Sequence, residues 1–201
     1  SLLSNTEFLR SSEIEVSLSF EYEQDINRVF ELLERTNQLN YTKNRLSSDL
    51  EKANFLKEID HYQSSAALIY CYDKFGDYGC IGFYLMKTTT DSGRFLKHFV
   101  FSCRIMNMGI ETFVYNSLGR PRIDIEKPVA YDLDVYSHCD WVKKRDHNDG
   151  GVKEIASDLS VILVGPCHLL QLSNYIRSTE FVHYAQDDYV VKFDCPGFFL
   201  N

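Results

Sequence analysis

Residues 66–118 read AALIYCYDKFGDYGCIGFYLMKTTTDSGRFLKHFVFSCRIMNMGIETFVYNSL, and this stretch decides the fold. Residues 66–72 are apolar throughout, which is typical of a central strand. Residues 80–86 and 95–103 supply two further strand-like runs. Because glycine-containing turns separate the three runs, the pattern predicts an antiparallel meander of three strands.

A helix is predicted directly after this meander. Residues 108–111 have the pattern of a helix start, and Gly119 has the position of a C-cap. Pro121 prevents the helix from continuing, because proline has no backbone N–H to donate.

One strand and two helices are predicted before the meander. Residues 13–20 alternate polar and apolar side chains, which indicates a half-buried strand. Asp25 opens a helix with an apolar stripe, and the poor helix formers of residues 36–40 end it. Ser48 and Glu51 have the spacing of a capping box, which predicts the start of the second helix.

The 201 residues divide into two predicted units. Residues 130–136 are predicted to be a further strand, so residues 1–145 form an α/β domain with a mixed sheet in the order β-α-α-β-β-β-α-β. Residues 146–156 are predicted to be a linker, because Asp and Gly cluster there. Residues 157–201 begin a second α/β unit, a short β-α-β extension.

This second unit is predicted from two apolar runs. Residues 159–164 indicate a buried strand, Gly165-Pro166 a turn into a helix, and residues 189–193 a second strand. A strand, a helix and a strand in this order are typical of the opening of a parallel sheet.

Composition narrows the possible partners. The net charge is −8, with 29 acidic and 21 basic residues, so we expect no nucleic-acid partner. No apolar run reaches the roughly 18 to 20 residues that span a bilayer, so we expect no membrane partner. Residues 1–7 lack the basic and apolar regions of a signal peptide, which favours a cytoplasmic location.

The six cysteines indicate a reduced protein without a structural metal. None forms a C-x-x-C pair, and Cys71, Cys80 and Cys103 lie in apolar runs, where a thiol packs as a small hydrophobe. Two adjacent His–Cys pairs stand at residues 138–139 and 167–168. Neighbouring residues on a strand point to opposite faces, so we expect no metal there.

The segment Arg104-Ile105-Met106-Asn107-Met108-Gly109 leads from the third meander strand into a helix. It resembles the pyrophosphate-binding loop of the GCN5-related (GNAT) acyltransferases. Amide groups at a helix N-terminus hold phosphate oxygens, and glycine permits close approach of the backbone. Asn107 stands in place of the first glycine and tolerates a left-handed φ, whereas Glu111 would repel a phosphate. The alternative is that the segment is only a turn.

Three ordered segments extend the resemblance to the FkbH-like proteins. Residues 35–42 (RTNQLNYT) are similar to R/K-T-N-Q-F-N-L-T, and residues 74–82 (KFGDYGCIG) to R-F-G-D-Y-G-L-I-G. Residues 101–111 (FSCRIMNMGIE) are similar to L-S-C-R-V-L-G-R-G-V-E. These proteins combine a haloacid-dehalogenase (HAD) phosphatase domain of subfamily IIIC with a GNAT-like domain.

The resemblance implies an acyl-CoA or phosphopantetheine thioester as cofactor, bound by residues 104–109, and no metal. It implies an acyl carrier protein or an upstream HAD-type domain as partner, in polyketide-type or related biosynthesis. The D-x-D motif of the phosphatase is matched only by Asp132-Leu133-Asp134, without the buried strand that should precede it. We therefore expect that domain to be missing here. The family's later P-T-x-K-N segment is also not found.

Candidate substrate and catalytic residues follow from the same resemblance. Thr36, Asn37, Gln38 and Asn40 lie between the first two helices, on the loop that faces the acceptor in this fold, and their side chains donate and accept hydrogen bonds. The alternative is that they cap the helix end. Tyr115, Tyr131 and Tyr136 are each candidates for the general acid of such acyltransferases.

The second unit resembles the first strand and turn of SGNH/GDSL hydrolases. Cys167 stands where those enzymes carry the serine nucleophile, at a helix N-terminus that favours a thiolate. The alternative is a packed cysteine, because the later blocks of that domain are not in the chain.

These patterns leave three hypotheses for the function. The first is a transferase that uses acyl-CoA or an acyl carrier protein. The second is a noncatalytic domain that binds substrate or carrier protein. The third is a scaffold that dimerises or docks the phosphatase domain.

Overall fold

The computed structural model describes residues 2–61, 63–89, 93–135 and 139–145. Beyond these it describes the backbone of five short strands, 154–155, 161–166, 182–183, 188–193 and 198–199.

A mixed α/β unit occupies the chain up to residue 145. Its helices are α1 (Leu2–Ser11), α2 (Ile26–Arg35), α3 (Asp49–Ile59) and α4 (Ile110–Ser117). Its strands are β1 (Ile14–Ser19), β2 (Ser64–Asp73), β3 (Gly76–Thr89), β4 (Gly93–Phe101), β5 (Arg122–Ile123) and β6 (Val142–Lys144). The predicted α/β class is confirmed, and α1 is an element that the sequence pattern did not indicate.

Six strands form one sheet in the order β5-β4-β3-β2-β1-β6. The pairs β1–β2, β2–β3 and β3–β4 are antiparallel, so the predicted meander is confirmed. The short strand β5 lies parallel to β4, and β6 lies parallel to β1.

Helices α2 and α3 cover one face of the sheet. Leu33 from α2 and Phe55 from α3 pack with Leu68, Phe83 and Val100 of the central strands. These strand residues point to this face because successive side chains alternate across a sheet.

Helices α1 and α4 cover the opposite face. The strand residues Ile69, Tyr84 and Phe99 are each adjacent in sequence to a residue that points to the first face. On this second face they pack with Ile110 and Val114 of α4. Strands β2 to β4 are therefore buried on both sides, as their unbroken apolar runs predict.

The start of α3 confirms the predicted capping box. Ser48 Oγ accepts from the Glu51 amide at 3.2 Å, and the Glu51 carboxylate accepts from the Ser48 amide at 2.9 Å. Two amides of the first helical turn thereby gain partners that the helix itself cannot supply.

The strand predicted over residues 130–136 is wrong, since its described part, 130–135, forms bends and turns. The segment joins its neighbours through single bonds, with the Glu126 amide donating to Tyr41 O at 2.8 Å and the Ala130 amide to Gln38 O at 2.9 Å. Pro128 lies between these two bonds and has no amide to donate, so a regular ladder cannot form.

The parallel pairing predicted for the second unit is also wrong. Strand β8 (Val161–Pro166) pairs antiparallel with β10 (Asp188–Phe193), and β9 (Val182–His183) lies antiparallel on the other side of β10. Apolar runs indicate buried strands but not whether they run parallel or antiparallel. A long connection between two strands permits either direction. The predicted helix after Pro166 lies outside the described residues.

Strand β7 (Glu154–Ile155) lies within the predicted linker and pairs antiparallel with β11 (Phe198–Phe199). None of the described helices is long and apolar enough to cross a membrane.

Candidate functional site

The segment Arg104–Gly109 forms a tight turn between β4 and α4. A short 3-10 turn covers Cys103–Ile105, and the Met108 amide donates to Ile105 O at 3.1 Å. Asn107 has a φ of 66° and Gly109 a φ of 76°, so both adopt the left-handed conformation. Asparagine tolerates this conformation better than most other residues with a side chain.

The backbone amides of this segment already donate to the chain itself. Asn107 N donates to the Tyr131 hydroxyl at 3.1 Å, and Arg104 N lies 3.4 Å from Ser102 Oγ. The amides of Ile105, Met106 and Met108 each donate to the carbonyl group three residues earlier, at 3.1 to 3.2 Å. A phosphate held by the amides of residues 104–108 would therefore have to displace these internal bonds.

Glu111, at the start of α4, is completely buried. Neither carboxylate oxygen has a well-aligned hydrogen-bond partner. Burial raises the pKa of Glu111 to about 7, and its own backbone amide and the nearby Tyr131 hydroxyl oppose that shift only in part. The group therefore changes charge close to neutral pH, which is a property of many functional carboxyls.

Glu111 belongs to a buried polar cluster that also contains Tyr41, Tyr131 and Cys139. The Tyr41 hydroxyl is buried without a hydrogen-bond partner, and burial, Glu111 and Tyr131 all raise its pKa. Burial raises the pKa of Cys139 to about 11, and the Glu111 charge contributes. The sequence pattern did not predict this cluster, although Glu111 stands next to the apolar Ile110 in the first turn of α4.

The predicted acceptor residues are mostly engaged in the fold. Asn40 is buried, its Nδ2 lies 3.5 Å from Leu33 O, and its Oδ1 accepts from the Lys43 amide at 3.0 Å. Thr36 is also buried and follows the last residue of α2, with its amide bonded to Leu32 O. These contacts agree with the alternative, in which the amides shape the helix end.

Asn37 and Gln38 are the exposed members of this group. Asn37 Oδ1 lies 3.3 Å from Lys43 Nζ and 3.4 Å from Arg45 Nη2. The backbone carbonyl group of Gln38 accepts a hydrogen bond from the Ala130 amide.

The segment that follows them covers the outer edge of β4. Tyr41 N donates to Phe99 O at 3.0 Å, and Phe101 N donates to Leu39 O at 2.9 Å. The strand edge next to the Arg104–Gly109 turn is therefore occupied by the chain's own backbone.

Within the described ranges, Tyr115 and the aspartates of the Asp132-Leu133-Asp134 motif are engaged in separate contacts. Tyr115 donates its hydroxyl to Pro121 O at 3.0 Å, and Tyr136 and Cys167 lie outside the described residues. Asp132 pairs with Lys127 at 3.3 Å, and Asp134 pairs with Arg120. Across the described ranges, no group of three His, Cys, Asp or Glu side chains is placed to hold a metal ion.

Comparison with known proteins assigns the chain to no family. No protein-family model, no curated protein and no solved structure matches the chain.

Proposed function

We propose that the part of the chain ending at residue 145 is a GNAT-like domain that binds a thioester without transferring its acyl group. The thioester is carried by CoA or by the phosphopantetheine of an acyl carrier protein. The left-handed turn at Asn107 and Gly109, which opens α4 directly after β4, carries the proposal. The three segments that resemble the FkbH-like proteins support it.

The contacts of Tyr115, a candidate general acid, support the absence of transfer. Its hydroxyl donates to the backbone carbonyl group of Pro121 at 3.0 Å. A general acid must reach the reacting atoms, directly or through one water molecule. Tyr115 would have to break this bond to do so.

Calorimetric titration with CoA and with acetyl-CoA tests the binding. Gly109→Ala should weaken binding by about ten-fold or more, because a Cβ disfavours the left-handed φ of 76° that shapes the turn before α4. Gly93→Ala is the matched control, since Gly93 has a φ of 66° and open space around it. Equal affinity of both variants, or no binding by the parent protein, would contradict the proposal.

Release of free thiol from acetyl-CoA in the presence of amine and hydroxyl acceptors tests the absence of transfer. We expect no release above the rate of spontaneous hydrolysis. Acceptor-dependent release would favour the transferase instead.

The second candidate function is acyl transfer with Glu111 as proton acceptor, which its pKa of about 7 favours. The acceptor amine or hydroxyl would attack the thioester carbonyl carbon and lose its proton to Glu111. The carbon–sulfur bond would break, and the departing thiolate would take up a proton. Because Glu111 is fully buried, α4 must first open locally. Transfer that is abolished in Glu111→Gln would establish this alternative.

A further inference from the structure

Two lysines and one glutamate meet beside the C-terminal end of α3. Lys97 Nζ, from β4, lies 2.6 Å from Glu58 Oε1 and 2.7 Å from Glu58 Oε2. Lys87 Nζ, from β3, approaches the same Oε1 atom at 3.7 Å. Lys97 therefore occupies both oxygens of the carboxylate, and Lys87 keeps a long contact with one of them.

A serine hydroxyl holds the amine of Lys87 in place. Lys87 and Ser64 are cross-strand partners in the β2–β3 pair, and Lys87 Nζ donates to Ser64 Oγ at 3.0 Å. Ser64 Oγ in turn donates to Glu58 O at 2.5 Å. The side chain of Lys87 is 14% exposed and that of Lys97 is 39% exposed. The amine of Lys87 is thus largely withdrawn from water, yet both side chains still reach the surface.

The charges at this place do not balance. Two ammonium groups face the single carboxylate of Glu58, and within the described ranges no other carboxylate lies at ion-pair distance from either lysine. His98, which follows Lys97 in β4, is buried and adds no charge near neutral pH. Its burial, together with the charge of Lys97, lowers the pKa of His98 to about 4.

The surroundings of Lys87 favour a neutral, nucleophilic amine. Burial and the charge of Lys97 lower the pKa of Lys87, and Glu58 opposes this shift only in part. Desolvation and a second cation are the two conditions that activate a lysine for attack on a carbonyl group. Lysines activated in this way form imines with carbonyl substrates.

We propose that Lys87 forms an imine with a 2-oxo acid whose carboxylate pairs with Lys97. The neutral amine attacks the ketone carbon, and a carbon–nitrogen double bond replaces the carbon–oxygen double bond. The ketone oxygen leaves as water with the two protons of the amine. The ketone and the carboxylate of a 2-oxo acid are on adjacent carbon atoms, which suits two amines that approach the same oxygen of Glu58.

This site is independent of the proposed thioester binding. It lies towards the start of β4, whereas the Arg104–Gly109 turn follows the end of that strand. The probes below contain neither CoA nor phosphate. The failure of either proposal therefore leaves the other one standing.

Reductive trapping with pyruvate and cyanoborohydride at pH 7 tests the site, because this reagent reduces an imine to a stable secondary amine. Peptide mass spectrometry then gives the rate of labelling at each lysine. We expect Lys87 to be labelled at least about ten-fold faster than Lys52. Lys52 is the internal reference, since it pairs with Glu34 at 2.7 Å and this hydrogen bond raises the pKa of Lys52. Equal labelling of the two lysines would overturn the proposal.

Two variants test the part played by the second amine. In Lys97→Gln the carboxylate of Glu58 is released to pair with Lys87, and the carboxylate of pyruvate loses its partner. The labelling of Lys87 relative to Lys52 should therefore fall by about ten-fold. Lys57→Gln is the matched control, because it removes a positive charge from an exposed position next to Glu58 and should keep the parent's ratio. A parent-like ratio in Lys97→Gln, or an equal fall in both variants, would contradict the site.

Methyl pyruvate separates recognition of a 2-oxo acid from reaction with ketones in general. The ester carries the same ketone but no negative charge, so it cannot form the ion pair with Lys97. We expect the ratio of Lys87 to Lys52 labelling to be lower with methyl pyruvate than with pyruvate. The same ratio with both probes would overturn the assignment of the ligand.

Discussion

Glu111 holds a carboxyl group in the apolar interior, where the charged form is disfavoured because water no longer solvates it. Its folded-state pKa of about 7 lies above the ordinary value of 4.5. Between these two values the folded protein binds more protons than the unfolded chain. The contribution of Glu111 to the free energy of unfolding therefore falls as the pH rises through this window, and it is lowest above pH 7.

Glu111→Gln should remove this dependence. We expect the free energy of unfolding of the variant to exceed that of the parent at pH 8, by on the order of 3 kcal/mol at most. The difference should shrink towards pH 5. Urea unfolding at both pH values measures it.

Thr112→Val serves as the control for this prediction, because Thr112 is a buried neighbour whose hydroxyl has no partner and does not titrate. Its effect on stability should be the same at both pH values. A Glu111→Gln variant with the parent's pH dependence would contradict the prediction.

At the scale of elements, the start of α3 depends on the side chains of Ser48 and Glu51. They accept hydrogen bonds from amides for which the helix backbone has no acceptor. Ser48→Ala should lower the free energy of unfolding by about 1 kcal/mol, because the Glu51 amide loses its acceptor. Ser47→Ala is the control, since only the backbone amide of Ser47 bonds to Glu51. Chemical denaturation of both variants measures the difference, and equal stabilities would show that the box contributes nothing.

At the scale of the whole molecule, the segment around Asn40 joins α2 to the outer edge of β4. Asn40→Ala should lower the free energy of unfolding by about 1 to 3 kcal/mol, because the Lys43 amide loses its buried acceptor. Gln38→Ala should change it by less than about 0.5 kcal/mol, since the side chain of Gln38 is exposed.

Thermal and urea unfolding of these two variants measure the difference. If Asn40→Ala retains the parent's stability but loses ligand affinity, the amide binds substrate rather than supporting the fold.

Much of the architecture follows from local patterns. The alternation of residues 13–20, the capping box at Ser48 and the apolar runs of the meander are each set by neighbours in the sequence, and the structure confirms all three. The left-handed turn at Asn107 is local in the same way.

The candidate site was less predictable, because its side chains contact residues that the fold brings close from elsewhere in the sequence. Glu111 points inward, Tyr115 bonds to Pro121, and Asn40 bonds to Lys43. The spacing of these residues in the sequence reveals neither the burial nor the partners.

The sequence by itself therefore determined the α/β class, the meander and the approximate ends of α2, α3 and α4, because hydrogen bonds and apolar periodicity act over a few residues. Only the tertiary structure decided the direction of β8 against β10, the loss of a strand near Ala130 and the burial of Glu111. All three features depend on which distant segments pack together. Burial then determines both the charge of a group and the hydrogen-bond partners within its reach.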